Sequence, residues 1–510
     1  MKLVHHFLLL LAAFFVGCVG SGSQSTVHPD ASIQPAIPGF HQKGKRQIAI
    51  FFDGTWNKLG DRTNVRRLYE MVAARHDPSV LCYYDQGVGT GKLGSAGGAV
   101  TRFFGGLAGQ GFQKNLRDAL VFVTEHYRPG DEISVFGFSR GSYCGLVFST
   151  IIGEAGFPVL TSVDGQTVEQ RHSAAVAAIG SFYSALEDAE SVARKEANHA
   201  IGWAWPGGSS SRWTGRPAEE ALAWRRAYWT SVTASQAWIA SPGRYRPGTA
   251  ALALWDPVEG MSWSLPGLVK TATSNSRKAE FERHQGHRFH PVGLGNHVKE
   301  CYIAFSLDEQ RQAFMPELPD HERGQPQHYE FVWFPGDHSD LGGGHGDGKD
   351  LAGLSMNWML SKVGDRLLGS GGGKIRVHAD PLAPRHDLEM FSLVHVRVRG
   401  EVFGPSAKCP VVNTAEPYAM TPVRSGGWKM KIHESALLRM QSGQDWFLAP
   451  KATQAVNLAT YTPKAERNMK GPYCPRPFRQ MPVADHTTGG WVDRPWTQAD
   501  LRDHYEIVPF

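Results

Sequence analysis

The sequence lacks cysteine-rich segments, a large excess of one charge and internal repeats. It has six cysteines in 510 residues, and the spacing of Cys409 and Cys474, the best candidates for a disulfide in the loop-rich C-terminal part, resembles no metal-binding motif. The net charge of +5 is small for this length, and no basic run is interleaved with aromatic residues, so nucleic acid is not expected as a partner. With 41% hydrophobic and 20% charged residues, the composition is typical of one large globular domain with insertions.

The apolar run near the N-terminus, Phe7 to Val16, is too short to span a bilayer comfortably. Lys2 supplies a positive charge before it, as in export signals. The stretch Phe15-Val16-Gly17-Cys18 resembles a bacterial lipobox, although phenylalanine stands where leucine is usual. This pattern predicts that Cys18 is lipidated after cleavage, with plain export and a retained membrane anchor as the alternatives.

The segments on either side of Cys18 differ in composition. Residues 1–18 are expected to be a lipoprotein signal peptide, and residues 19–46, rich in Ser, Gly, Pro and Gln, a flexible tether. Because Val19 and not aspartate follows Cys18, retention in the inner membrane is not signalled. We therefore expect an exported, membrane-anchored lipoprotein that faces the periplasm, with the outer membrane favoured over the inner.

Apolar strand-like runs alternate with segments of helical spacing from residue 47 onwards. This alternation predicts an α/β fold, a mainly parallel sheet with helices on both faces, and the nucleophile-elbow pattern at residues 137–141 indicates the α/β-hydrolase type. The segment 165–247 is helical in pattern and is expected to be a helical cap inserted over the active site. We place the hydrolase domain at 47–400 and a loop-rich C-terminal extension at 401–510.

The stretch Gly137-Phe138-Ser139-Arg140-Gly141 stands between an apolar run and a segment of helical pattern. Strand, sharp turn and helix in this order are typical of the nucleophile elbow, where glycines let the neighbouring backbone pass close to a strained serine. We predict Ser139 as the nucleophile of a serine hydrolase.

A serine nucleophile needs a histidine that takes its proton and a carboxylate that orients the histidine. Asp256 follows the apolar run 252–255 and His338 follows the run 331–334, in the chain order Ser, acid, His of α/β-hydrolases. Asp256 could instead be a turn residue before Pro257.

The residues that follow His338 in the sequence allow a second interpretation, namely a metal site. With His338, this site would comprise Asp340, His345, Asp347 and Asp350. Their spacing fits no standard ligand set, so we expect no metal and no cofactor. Asp340 could instead cap the turn that holds His338.

The oxyanion hole requires two backbone N–H groups. Arg140, the residue after the nucleophile, is expected to supply one, and Gly54 or Thr55, which follow an early strand, the other. The loop Gly87-Val88-Gly89-Thr90-Gly91 lacks the lysine of a P-loop and is expected to shape the acyl or headgroup pocket.

Several motifs in the same order resemble the catalytic domain of the type VI secretion phospholipase effectors of the Tle type. The matching stretches are 52–57, 87–90, 137–141, 255–256, 304–311 with 314–316, and 335–344, so that the resemblance runs from Ile48 to Leu360. It implies a triad of Ser139, Asp256 and His338 and glycerophospholipid acyl esters as substrates. The family usually has Asp-Thr-Val where this chain has Asp256-Pro257-Val258.

Together these features predict a lipid-anchored serine esterase that acts on phospholipids, a phospholipase A-type activity. The alternatives are an esterase for carbohydrate or other small esters in the cell envelope and a non-catalytic envelope scaffold. A secreted effector does not need a lipobox, so a toxin role does not follow from the resemblance.

Overall fold

A computed structural model of the chain describes most of the predicted hydrolase domain and parts of the C-terminal segment. The described residues are 46–54, 62–87, 108–160, 165–200, 218–235, 243–258, 293–309, 320–321, 328–345, 350–386, 423–424, 428–429, 431–442, 446–449, 466–469, 483–485, 490–492, 499 and 506–510. The predicted signal peptide with Cys18, nearly all of the predicted tether, and the candidate disulfide pair Cys409 and Cys474 lie outside these residues.

Eight strands form one sheet in which every pairing is parallel. They are β1 Gln47–Phe52, β2 Val80–Asp85, β3 Glu132–Phe138, β4 Thr249–Trp255, β5 Val298–Ser306, β6 His328–Phe334, β7 Lys431–His433 and β8 Glu506–Val508. The order across the sheet is β8-β7-β6-β5-β4-β3-β1-β2. The predicted α/β class with a mainly parallel sheet is therefore confirmed.

Helices cover both faces of this sheet. Successive side chains of a strand point to opposite faces, so the apolar side chains of each strand must be buried on both sides. The helices are α1 Asn64–Ala73, α2 Ala108–His126, α3 Arg140–Thr150, α4 Val168–Ala200, α5 Ala218–Ala234, α6 His338–Gly342, α7 Asp350–Leu368 and α8 Glu434–Gln441. In β1, Ile48 and Ile50 join the apolar cluster of α2 to α5, whereas Phe51 joins that of α1 and α7. Among the described helices, none is long and apolar enough to cross a bilayer.

Two long helices, α4 and α5, fill the described part of the segment predicted as a cap. They bury Phe182 and Tyr228 in the same cluster as α2 and α3. That they form a cap over the site stays a prediction.

The C-terminal segment contributes to the central sheet, which the sequence placed wholly within residues 47–400. Both β7 and β8 lie beyond residue 400 and extend the sheet past β6. A strand of three residues is too short to show a periodic pattern, so neither strand could be predicted from the sequence. The remaining described strands are short: Phe157–Pro158, Arg244–Tyr245, Gly293–Leu294, Asp320–His321, Arg385–His386, Val423–Arg424, Trp428–Lys429, Trp446–Ala449, Glu466–Met469, Val483–Asp485 and Gly490–Val492.

Aromatic side chains pack across neighbouring strands in the core. The rings of Phe51 in β1 and Phe136 in β3 stack with centroids 4.8 Å apart, and both side chains are fully buried. Such a pair adds to the free energy gained from burying its area.

We therefore predict that Phe136→Ala lowers the free energy of unfolding by about 3–5 kcal/mol, because the substitution leaves a cavity between two strands. Leu382→Ala, at a side chain that is 44% exposed, is the control and should change it by less than about 0.5 kcal/mol. Chemical denaturation measures both. Equal effects of the two substitutions would contradict the packing described for β1 and β3.

Candidate active site

Ser139 occupies a strained turn between β3 and α3. Its backbone angles are φ 59° and ψ −126°, a conformation that residues other than glycine rarely adopt. Ser139 is the N-cap of α3, yet its side chain does not cap the helix, and the residue is 8% exposed. A strained serine between a strand and a helix is the backbone geometry that the nucleophile-elbow pattern predicts.

The two glycines of the motif are required by close backbone contacts. A Cβ at Gly137 would lie 2.5 Å from the Cα of Ser142, and a Cβ at Gly141 would overlap the carbonyl oxygen of Phe52. The elbow is therefore pressed against the end of β1, and only a residue without a side chain fits at either position.

Asp256 follows β4 and is completely buried. Its backbone also has a positive φ, 42°. Ser306, the last residue of β5, donates to it twice, from its backbone N–H to Oδ1 at 3.2 Å and from its hydroxyl to Oδ2 at 2.7 Å. These bonds fix the carboxylate and offset the cost of burying it.

His338 lies against the same carboxylate. Its Nδ1 is 2.7 Å from Asp256 Oδ2, and its side chain is 3% exposed. The imidazole stacks on the ring of Phe138, with centroids 4.7 Å apart, and Phe138 directly precedes Ser139. A carboxylate that accepts from Nδ1–H leaves Nε2 as the nitrogen that can exchange a proton with a substrate or a nucleophile.

The sheet brings these residues to one edge. Four adjacent strands each contribute one residue. Ser139 follows β3, Asp256 follows β4, Ser306 ends β5, and His338 lies four residues after the end of β6. Ser139 is tied to the neighbouring strand, since its N–H donates to Trp255 O at 2.9 Å and its carbonyl accepts from Val258 N at 3.2 Å. The carboxyl edge of a parallel sheet is where catalytic groups collect in open α/β folds.

The loop after β1 carries the other predicted oxyanion residues. Asp53 is buried, and its carboxylate accepts from Thr63 Oγ1 at 2.7 Å and from Tyr84 OH at 2.6 Å. The Gly54 N–H, predicted as an oxyanion donor, donates instead to Asp53 Oδ1 at 2.7 Å. Thr55 lies outside the described residues.

Arg140, the third residue predicted for the oxyanion hole, is the first residue of α3. The N–H groups of the first helical turn have no acceptor within the helix, so they point towards ligands at the N-terminus. Burial lowers the pKa of the Arg140 side chain to about 10, so the guanidinium remains charged at neutral pH.

Three residues that contact the site, Ser306, Asp308 and Glu309, were not predicted from the sequence as site residues. Besides Ser306, Asp308 accepts from Gly336 N at 2.7 Å, and Glu309 accepts from His338 N at 3.3 Å. All three residues lie at or just after the end of β5, where polar residues that follow an apolar run are a usable signal for site residues.

The residues behind His338 form a separate cluster. Asp340, His345 and His386 have possible ligand atoms within 4.8 Å of one another. Of the set considered for a metal from the sequence, Asp347 lies outside the described residues and Asp350 begins α7. His386 joins the cluster from a distant part of the chain.

Asp85, at the end of β2, supports the loop next to Asp53. Its Oδ1 accepts from Gly87 N at 2.8 Å and from Asn115 Nδ2 at 2.6 Å. A Cβ at Gly87 would lie 2.6 Å from the carbonyl oxygens of Asp53 and Gly54, so the two loops are in tight contact. Burial raises the pKa of Asp85 from 3.8 to about 6.

Comparisons with known proteins identify a family for most of the chain. A family model described as "T6SS, Phospholipase effector Tle1-like, catalytic domain" matches residues 46–362, more than half of the chain. The uncharacterized protein YEL023C of Saccharomyces cerevisiae is 26% identical over 137 residues, which is 25% of this chain, and the chain spans only 20% of that relative's length.

Two solved structures are similar in part. A structure of the Tle1 effector bound to the VgrG spike of the type 6 secretion system is 14% identical with a TM-score of 0.27, covering 63% of this chain and 56% of that one. The crystal structure of an uncharacterized protein from Pseudomonas aeruginosa is 16% identical with a TM-score of 0.30, covering 74% of this chain and 52% of that one.

The close contact at the elbow predicts that replacing glycine with alanine has opposite effects on stability at Gly141 and at Gly180. Gly141→Ala should lower the free energy of unfolding by about 1–3 kcal/mol, because its Cβ would overlap the Phe52 carbonyl. Gly180→Ala, in α4 with open space around it, should raise it by about 0.5–1 kcal/mol through its helix propensity. Denaturation curves of both variants test this, and a stabilised Gly141→Ala protein would refute the close contact.

The raised pKa of Asp85 predicts how stability depends on pH. The folded protein binds this proton up to about pH 6, whereas the unfolded chain releases it near 3.8. The contribution is therefore fully present below pH 3.8 and is lost as the pH rises to about 6. Asp85→Asn removes this titration. As the pH rises from 3.8 to about 6, the melting temperature of the variant should therefore rise relative to that of the wild type. A difference that stays constant with pH would contradict it.

Proposed function

The chain belongs to the Tle1-like phospholipase effector family through its catalytic domain, and from this premise we propose that it is a serine hydrolase of carboxylic esters with glycerophospholipids as substrates. Family membership supports a hydrolase role for the domain. The finer assignment depends on the site, and the observation that carries it is the contact of Asp256 Oδ2 with His338 Nδ1 at 2.7 Å beside the strained turn of Ser139.

In the proposed mechanism, Ser139 Oγ attacks the ester carbonyl carbon while its proton passes to Nε2 of His338. Asp256 holds the imidazole in the required tautomer and stabilises the imidazolium that forms. The bond between the carbonyl carbon and the lysophospholipid oxygen breaks, and that oxygen takes the proton from His338. An acyl-enzyme on Ser139 remains.

Water completes the cycle. It attacks the acyl carbonyl while His338 accepts its proton, the bond to Ser139 Oγ breaks, and the serine regains the proton as the fatty acid leaves. Both steps place a negative charge on the carbonyl oxygen. We assign its stabilisation to the Arg140 N–H at the start of α3 and to Thr55, because the Gly54 N–H is occupied by Asp53.

We also propose a location for the protein, on the basis of its N-terminal sequence pattern. The lipobox-like sequence supports lipidation at Cys18 and an enzyme held in the envelope facing the periplasm. An anchor of this kind would bring the site to a membrane surface, where phospholipid esters are concentrated. An injected toxin is not part of this proposal.

The test is a substrate panel on the purified full-length protein in detergent, with phospholipids beside short-chain and sugar esters. We expect fatty acid release from phospholipids. Ser139→Ala should lower kcat by about 10⁶-fold through loss of the nucleophile, and Asp256→Asn by about 10⁴-fold through loss of the correct imidazole tautomer.

Ser181→Ala, at an exposed serine of α4, is the matched control and should retain wild-type activity. Activity on sugar esters alone would replace the lipid substrate with a carbohydrate ester. Full activity of Ser139→Ala would reject the serine mechanism, and no turnover of any ester together with no labelling by a fluorophosphonate would favour a non-catalytic scaffold.

A further inference from the structure

His338 is the first residue of α6, a helix of only five residues. A single turn has too few internal hydrogen bonds to be stable by itself, so its position depends on its caps. Asp337 and Asp340 supply them reciprocally. Asp337 Oδ1 accepts from the N–H groups of Ser339 and Asp340 at 2.9 and 2.7 Å, and Asp340 Oδ2 accepts from Asp337 N at 3.1 Å.

Asp340 is in turn anchored by His386, which is 46 residues away in sequence. The backbone N–H of His386 donates to Asp340 Oδ2 at 2.8 Å, and its Nδ1 lies 2.6 Å from Asp340 Oδ1. The side chains of Asp340 and His386 are 2% and 1% exposed. The short helix that carries His338 is thus tied to a second segment through one buried carboxylate.

The imidazole of His345 stacks on that of His386. The two imidazole rings are nearly parallel, at 17°, with centroids 3.4 Å apart, and His345 Nε2 lies 3.1 Å from Asp337 Oδ1. The lone pair of an imidazole nitrogen lies in the plane of its ring, so two stacked rings cannot both direct a lone pair at one ion. The geometry therefore favours a network of hydrogen bonds over a metal centre.

We propose that the pair Asp340–His386 is a positioning unit for His338, which holds the capped turn so that Nδ1 stays in contact with Asp256. This inference rests on the proposed serine mechanism. The unit touches neither substrate nor nucleophile and acts only through the backbone of α6. A shift of about 1 Å in a catalytic group can lower the rate by about 100-fold, so the position of this turn is critical for turnover.

The sharpest test compares two substitutions of His386. The side-chain amide of Asn lies near the position of Nδ1, so His386→Asn keeps a donor for Asp340 Oδ1. The amide of Gln lies near the position of Nε2, so His386→Gln loses that donor while it remains polar and of similar length. The two variants differ by one methylene and in where the donor lies.

The matched control is His297→Gln. The His297 side chain is 5% exposed and its Nδ1 lies 3.2 Å from Glu154 Oε1, but it precedes β5, at the opposite end of the sheet from the site. The substitution His297→Gln therefore removes a buried imidazole that pairs with a carboxylate, and it leaves α6 unchanged.

Four quantities are measured for each full-length protein in detergent: the melting temperature, KM, the rate at which a fluorophosphonate labels Ser139, and kcat per active site, the active sites being titrated with the same fluorophosphonate. We expect His386→Gln to lower kcat per titrated site and the labelling rate by about 10- to 100-fold with KM nearly unchanged. His386→Asn should stay within about 3-fold of wild type, and His297→Gln should lower only the melting temperature.

A lower melting temperature in His386→Gln with wild-type kcat per titrated site would overturn the proposal, because the pair would then be merely structural. A stoichiometric divalent metal whose removal by chelator reproduces the His386→Gln rates would also overturn it. If His386→Gln does not fold, the same measurements are made on Asp340→Asn. We expect its kcat per titrated site and its labelling rate to fall by at least about 3-fold, because the NH₂ group of the new asparagine would face another donor, the Nδ1–H of His386. Failure of the serine mechanism is distinguishable, since the wild type would then not be labelled at Ser139.

Discussion

Parallel strands end at the same edge of a sheet, and the whole site depends on this constraint. Asp256 follows β4 and His338 follows β6, so a full strand, β5, separates the strands that carry them. Ser306 at the end of β5 bridges the gap by donating twice to Asp256. Ser139, after β3, is tied to the same edge through Trp255. Four adjacent strands thus fix groups that are far apart in sequence.

Buried carboxylates are the main cost of this arrangement, and each one described at the site is offset by donors. Asp53, Asp256 and Asp340 are at most 2% exposed, and each accepts at least two hydrogen bonds from hydroxyl, imidazole or backbone groups. Because these donors are fixed by the fold, the groups are held in place before any substrate binds. Such preorganisation is what electrostatic catalysis requires.

The sequence predicted the parts of the site that have a local signal. The residues predicted as nucleophile, acid and base, namely Ser139, Asp256 and His338, each follow an apolar run, and the structure brings Asp256 and His338 into contact. The prediction for Gly54 did not anticipate that Asp53 occupies its N–H. Beyond residue 400, β7 and β8 join the sheet although strands of three residues carry no periodic pattern. Their pairing is a tertiary property.

The amino-acid sequence alone determined the α/β class, the order of the chemical groups and the strained turn, because periodicity and glycine positions act over a few residues. Only the tertiary structure decided which side chains meet. The link from Asp340 to His386 crosses 46 residues and has no counterpart in spacing or composition. Such contacts arise because burial of a carboxylate selects whichever donor the packed chain brings within hydrogen-bonding distance.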